Sequence, residues 1–202
     1  MEARIDEIEY ALLNLEKPSI SLNQLLEKSW FREDPWNWLF KLSKTEQSPI
    51  HHPEGDVWKH TMLVVDEAAK VKHISKNPRV FMWAAFLHDI GKPDTTRNKK
   101  GKITAYNHDT VGASLASDFL QYFSFDSVFI ESVVSLVRWH MHILYVNKNL
   151  SFGNIQQMVQ EVDIQEIALL GWCDRMGRTN ADSKEQREEI EKFYRTISKF
   201  KK

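Results

Sequence analysis

Two adjacent side chains, His88 and Asp89, set an imidazole beside a carboxylate just ahead of Gly91. Four more groups of the same two kinds lie on either side in the chain: His60, His108, His140 and Asp174. Neutral imidazole nitrogen and carboxylate oxygen suit manganese, iron, cobalt, nickel or zinc better than calcium. A lone helical histidine is more often a surface or satisfied core residue, and an adjacent His-Asp pair occurs readily by chance. The chemistry therefore depends on whether the fold gathers these groups, and four to six of them around one pocket would suit a divalent ion. Cys173 is the single cysteine. It excludes an intramolecular disulfide framework and any Cys-based zinc ribbon.

Helical periodicity dominates the elements that must position these groups. Ile5, Ile8, Tyr10, Leu12, Leu13 and Leu15 form an apolar stripe that stops before Pro18, and Ser21 can cap a short helix carrying Leu22, Leu25 and Leu26. An aromatic connector with Trp30, Phe31, Trp36, Trp38 and Phe40 leads to a Pro- and Gly-punctuated loop over residues 48–56. Asp56 is placed to cap a helix from Val57 to about His73, with His60 in its first turn. Asn77 and Pro78 open the next helix, whose apolar run reaches Gly91 and carries His88 and Asp89 at its end. Residues 94–106 read as a loop or short hairpin turning at NKKG. Helices are expected from about Asp109 to Tyr122, from Asp126 to about His142 and near 154–162. A capping-box pattern of Asp163 and Glu166 opens another through Asp174, and a charged one runs from Ser183 to about Phe200. The expectation is an all-α bundle of about eight or nine helices.

With 202 residues, 42% hydrophobic and 27% charged, the chain is the size of one globular domain, and seven Gly and six Pro leave few of the turns a many-stranded β-fold needs. Lys+Arg 27 against Asp+Glu 28 gives a net charge of -1, which argues against binding duplex nucleic acid by bulk electrostatics. The acidic N-terminus is unlike a signal peptide, and no apolar run approaches the roughly 20 residues of a membrane span. A cytoplasmic protein is expected.

The segment LHDIGKP at 87–93 carries the signature of the HD-domain metal-dependent phosphohydrolases, and the chain resembles that family. The segments HHPEGDVWKHT at 51–61, GKITAYNHDTVGA at 101–113 and LVRWHMH at 136–142 are similar to the HD domain attached to CCA-adding tRNA nucleotidyltransferases. Nothing resembles the nucleotidyltransferase catalytic part, so nucleotide addition to tRNA is not implied. The resemblance implies an HD-domain helical bundle over 48–202, free-standing, with residues 1–47 as a helical extension packed on it. It implies that His60, His88, Asp89 and Asp174 bind one metal, that His108 and His140 add a second, and that Asp89 bridges the two. His142 competes with His140, but residues two apart on a helix point about 200° apart, and the context of His140 fits the family better. The cofactor expected is one or two divalent transition metal ions: Mn, Fe, Ni, Co or Zn, with Mg as a further option.

A bound divalent ion lowers the pKa of its water toward about 7 and so supplies hydroxide at neutral pH. The activity implied is a phosphatase, nucleotidase or 2′,3′-cyclic phosphodiesterase acting on small phosphoesters, nucleotides or RNA ends. Asp89 and Lys92 are the catalytic candidates. Lys92, with Arg138, Arg175 and Arg178, is a candidate for binding substrate phosphate, although ordinary surface pairing accounts equally well for each arginine. A nucleotide polyphosphate hydrolase, a di-iron oxygenase and a non-catalytic RNA- or partner-binding module are the alternatives. His51 and His52 are expected at the rim or behind the ligands, Lys99, Lys100 and Lys102 in a solvated turn, and Trp58, Trp83 and Trp172 in the core.

Overall fold

The computed structural model describes residues 2–200. Met1 of the acidic N-terminus and Lys201 and Lys202 at the end of the charged tail lie outside the described residues. The architecture is all-α, with one two-stranded hairpin.

The N-terminal stripe forms α1 (Glu2–Asn14), which buries Ile8, Ala11 and Leu12. Pro18 then opens α2 (Pro18–Asn23) rather than merely ending α1, because proline fits a first helical turn. Ser21 therefore lies inside α2 and is not its cap, and Leu25 and Leu26 fall in a following 3-10 turn. The aromatic connector folds into short turns, including α3 (Asn37–Phe40). It packs by edge contacts: Phe31 lies 5.6 Å from Trp58, and Trp36 lies 5.7 Å from Phe119. The extension and the bundle thus share one buried core.

The bundle begins at α4 (Val57–Val71), whose first turn is capped by Asp56 accepting from Lys59 N. Asn77 caps α5 (Pro78–Leu87) by accepting from Val80 N, and every residue of α5 from Val80 on is buried. The sequence carried this helix on to Gly91, but it stops at Leu87. His88 turns its own ring onto the backbone there, and a short turn leads to α6 (Lys92–Thr95).

The hairpin pairs β1 (Thr96–Lys99) with β2 (Lys102–Ala105) around Lys100 and Gly101. Both turn residues have positive φ, the conformation a two-residue hairpin turn requires. Next come α7 (His108–Tyr122) and α8 (Ser127–Trp139), packed along each other, with α8 covering α5.

The single helix expected from Asp126 to His142 breaks after Trp139, and α9 (His142–Asn147) starts anew. Asn154 caps α10 (Ile155–Glu161), and Asp163 caps α11 (Ile164–Met176), accepting from Gln165 N and Glu166 N. Glu166 does not reach back to complete a capping box. It accepts instead from Ser75 Oγ and Lys76 N, tying α11 to the turn before α5. The charged α12 (Ser183–Ser198) lies over α9 and α11 and buries Phe193 and Ile197. The expected all-α bundle is what forms: among the described residues there are twelve α-helical segments, of which α3 and α6 are single turns of four residues. The three additions to the nine expected are α9, from the break after α8, and these two turns. No helix among the described residues is long and apolar enough to cross a membrane.

Candidate metal centre

The ends of α5, α8 and α11, the first turns of α4 and α7, and α6 meet inside the bundle. Convergent helix ends of this kind are where helical proteins build metal sites from facing side chains. Two sets of donor atoms lie within 4.8 Å of one another there: His60, His88 and Asp174, and beside them Asp89, His108 and His140. All six residues are buried.

Asp89 stands between the sets. Its Oδ2 is 3.2 Å from His88 Nε2 and 3.9 Å from His60 Nε2. Its Oδ1 is 3.5 Å from His108 Nε2 and 3.8 Å from His140 Nε2. Asp174 Oδ1 meets His60 Nε2 at 3.0 Å, and the Nε2 atoms of His108 and His140 are 3.2 Å apart.

Three of the histidines are aimed by one local device. Nδ1 of His88, His108 and His140 contacts the carbonyl three residues earlier, Ala85 O at 2.8 Å, Ala105 O at 2.6 Å and Val137 O at 2.7 Å. For His88 and His140 the acceptor is one of the last carbonyls of a helix, a group left without an intrahelical donor. The bond completes the helix end and, since a carbonyl only accepts, fixes the proton on Nδ1. Nε2 is then bare and faces the pocket. The break after α8 follows from this, because Val137 O is engaged by the His140 ring.

The approach of α7 to the His88–Asp89 turn depends on Gly91 and Gly112. An added Cβ at Gly91 would fall 2.3 Å from His108 O and 2.5 Å from Gly112 N. Only a residue without a side chain lets His108 come this near Asp89.

The electrostatics match the geometry. Burial acts to raise Asp89, but the neighbouring His88 and Lys92 charges hold it well below the usual carboxylate range. Asp174 is likewise held low against burial by its hydrogen bond to His60 and by Arg178. Burial pushes His140 down to about 4, reinforced by His108 and His88, and burial also lowers His108. For His60, burial acts downward, yet Asp174 and then Glu54 raise it. The site thus offers ionised carboxylates with His108 and His140 neutral, the protonation states that ligands require. His88 Nε2 is buried with no hydrogen-bond partner among the described residues. An orphaned imidazole nitrogen amid buried carboxylates fits a divalent transition metal.

The other sequence candidates fall in different places. Lys92 Nζ is 2.6 Å from Asp89 Oδ2 and donates to Gln47 Oε1 at 2.6 Å. Arg178 lies 3.9 Å from Asp174 Oδ2 with its side chain one-third exposed, and its Nε is unpartnered among the described residues. Arg138 donates to Asp109 Oδ2 at 3.1 Å, beside His108. Arg175 is tied to Gln186 Oε1 at 3.2 Å, turned toward α12 and away from the pocket, as a residue one step from Asp174 on a helix must be. His142 is packed 4.3 Å from Trp139 and 5.1 Å from Tyr145, outside the cluster. His52 sits beside His60.

Sequence reasoning missed Glu54, whose buried carboxylate lies 2.9 Å from His60 Nδ1, and Gln47, which anchors Lys92. Both stand in or beside the loop read as 48–56, and the signal available was Glu54's place six residues before His60.

The HD domain family model matches residues 57–176. Curated relatives named "Multifunctional CCA protein" are similar over parts of their length. The one from Actinobacillus pleuropneumoniae serotype 5b (strain L20) is 29% identical over 104 residues, 52% of this chain and 24% of that protein. The one from Halorhodospira halophila (strain DSM 244 / SL1) is 34% identical over 96 residues, 48% of this chain and 22% of that protein. The one from Hahella chejuensis (strain KCTC 2396) is 27% identical over 168 residues, 80% of this chain and 38% of that protein. The chain therefore spans less than half the length of these relatives.

Proposed function

The chain belongs to the HD domain family, a superfamily of metal-dependent phosphohydrolases, and from that premise we propose that it hydrolyses phosphoesters of nucleotides or RNA ends. The reaction would be that of a phosphatase, nucleotidase or 2′,3′-cyclic phosphodiesterase. The observation that carries this reading is Asp89, with one carboxylate oxygen toward His60 and His88 and the other toward His108 and His140. His60, His88 and Asp174 with Asp89 Oδ2 would hold one ion, and His108 and His140 with Asp89 Oδ1 a second. A divalent ion bound there supplies Lewis-acid charge and, at neutral pH, an ionisable water.

The side chains of the chain itself supply the rest. Asp89 and Asp174 stay ionised and offset the cationic charge. Buried His60, His88 and His140 keep bulk water from the reacting centre, so fixed charges act there with little screening. Lys92 would move its ammonium from Asp89 Oδ2 to a substrate phosphate oxygen while Gln47 keeps it near the pocket. Arg178, of the three arginines, has the geometry to meet a second phosphate oxygen. The nucleotide or RNA-end class rests on the relatives named "Multifunctional CCA protein".

The test is a screen of nucleoside monophosphates, 2′,3′-cyclic nucleotides and short RNA ends, with manganese, nickel, cobalt and magnesium varied. Metal-dependent turnover that vanishes in Asp89→Ala is expected. A metal-loaded protein inert on every phosphoester refutes the reading.

A further inference from the structure

His60 differs from the other three histidines of the centre in how its ring is held. The rest borrow the carbonyl three residues earlier, but the equivalent carbonyl for His60, Val57 O, accepts from Thr61 Oγ1 at 2.9 Å inside α4. Some other acceptor has to fix this ring.

Glu54 stands where that acceptor is needed. The loop before α4 folds back over the helix start: His52 N donates to Ser48 O and Gly55 N to His52 O, and Gly55 takes a positive φ of 108°. This puts the Glu54 carboxylate under the His60 ring, its side chain only 3% exposed. Its Oε1 lies 2.9 Å from His60 Nδ1, a close charge contact whose angle falls outside hydrogen-bond geometry, and 2.9 Å from His52 Nδ1, where a hydrogen bond forms. A carboxylate oxygen at that distance from a bare ring nitrogen would set lone pair against lone pair, so His60 carries a proton on Nδ1; the same rule puts one on Nε2 against Asp174 Oδ1 in the metal-free chain, and it is that second proton an ion would displace. The His52 ring meets the His60 ring edge-on, 4.6 Å away.

We propose that Glu54 is a positioning residue for the metal centre, holding His60 as the Nδ1–H tautomer so that Nε2 is the atom offered to the ion. The inference rests on the reading of this cluster as a metal centre. Carboxylate partners of ligating histidines fix ring and tautomer and raise ligand basicity.

The same three side chains, His52, Glu54 and His60, could instead be taken as a further ligand set. One oxygen serves both rings, Glu54 Oε1 lying 2.9 Å from His52 Nδ1 and 2.9 Å from His60 Nδ1, so the carboxylate joins two imidazoles rather than opening a cavity between three donors. An ion on Nδ1 would also leave the proton on Nε2, facing Asp174, and so take His60 out of the ligand set on that side unless the ring lost both protons.

The experiment measures manganese or zinc binding to the intact chain by calorimetry, with metal content per chain, for wild type, Glu54→Ala, Glu54→Leu and Glu54→Gln. Leucine removes the acceptor but keeps bulk, so a collapse of the loop in the alanine variant does not decide the outcome. Weakening of about 10–100-fold is expected for alanine and leucine, with a smaller loss for glutamine, which retains an acceptor oxygen. In the zinc-loaded protein, nitrogen-detected NMR is expected to show His60 protonated at Nδ1 in wild type and Glu54→Gln, and a tautomer mixture in Glu54→Leu. Affinity in Glu54→Leu and Glu54→Ala within about twofold of wild type would overturn the proposal, given the losses usual for such partners. So would an additional bound ion that disappears in His52→Ala. Loss of binding in Glu54→Leu by a protein that hydrolyses no phosphoester would support the positioning role while removing the hydrolase reading.

Discussion

Replacing Gly91 with alanine tests the close approach that joins the two halves of the centre. The backbone there is ordinary, with φ -81°, so conformation alone would make alanine neutral or slightly stabilising. The obstacle is the new methyl, 2.3 Å from His108 O and 2.5 Å from Gly112 N. Apolar contact needs about 3.5 Å, so the start of α7 must retreat by about 1 Å. Because the obstructing atoms are backbone, no side chain can swing aside, and the cost falls at the upper end of overpacking, about 3 kcal/mol. For a chain of this size that corresponds to a melting temperature lower by about 6–12 °C. His108 heads α7, and its Nε2 is 3.5 Å from Asp89 Oδ1. A retreat of about 1 Å pulls it out of reach of an ion shared with Asp89, since ligand bonds tolerate only about 0.2 Å. Calorimetric melting of the metal-free protein and metal content per chain after loading measure both effects. Gly101→Ala is the control: nothing lies within 4 Å of its Cβ, and its φ of 80° makes it a strain-only change far from the ligands. If Gly91→Ala melts within about 2 °C of wild type and takes up the same metal, the close approach does not govern the site, since even 1 kcal/mol shifts a chain this size by about 2–4 °C.

Asp89→Ala is expected to lose both ions and all phosphoester turnover, read by metal analysis and a steady-state assay; retention of either ion removes its bridging role. His140→Ala should lower metal content from two ions to one, whereas His142→Ala, outside the cluster, should leave it unchanged and cost about 1–3 kcal/mol in stability through lost packing. Metal affinity should fall as pH drops. His60 has its pKa raised by Asp174 and Glu54 against burial, so below that value a proton occupies Nε2 and competes with the ion, while His140, at about 4, competes only in acid. Titrations in buffers of different protonation enthalpy should show proton release on binding that disappears in His60→Ala. Lys92→Met should reduce kcat/KM by about 10–100-fold, a loss of about 1.4–2.7 kcal/mol of transition-state stabilisation, with metal content kept; an unchanged kcat/KM removes its phosphate role.

Helix starts were legible in the chain because capping is local. Asp56, Asn77, Asp126 and Asp163 each meet a backbone N–H two or three residues on, whatever the rest of the molecule does. The hairpin at Lys100–Gly101 follows from turn chemistry in the same way. Residue types and order, read together with the resemblance to the HD domain carried by the flanking segments, singled out His60, His88, Asp89, His108, His140 and Asp174 as one candidate set. Helix ends were less legible: α5 stops at Leu87 and α8 at Trp139 because a histidine ring engages a carbonyl, a competition that apolar periodicity does not record.

Packing alone decided the rest. The meeting of Gly91 with Gly112, of Gln47 with Lys92 and of Glu54 with His60, and the turning of Arg175 to Gln186, are contacts between elements or between a loop and a helix. A period of 3.6 tells which face of one helix is apolar, but not which atoms of another segment will lie against it. That is fixed by the interdigitation of the whole core, where an ångström at a glycine determines whether two donor sets share one carboxylate.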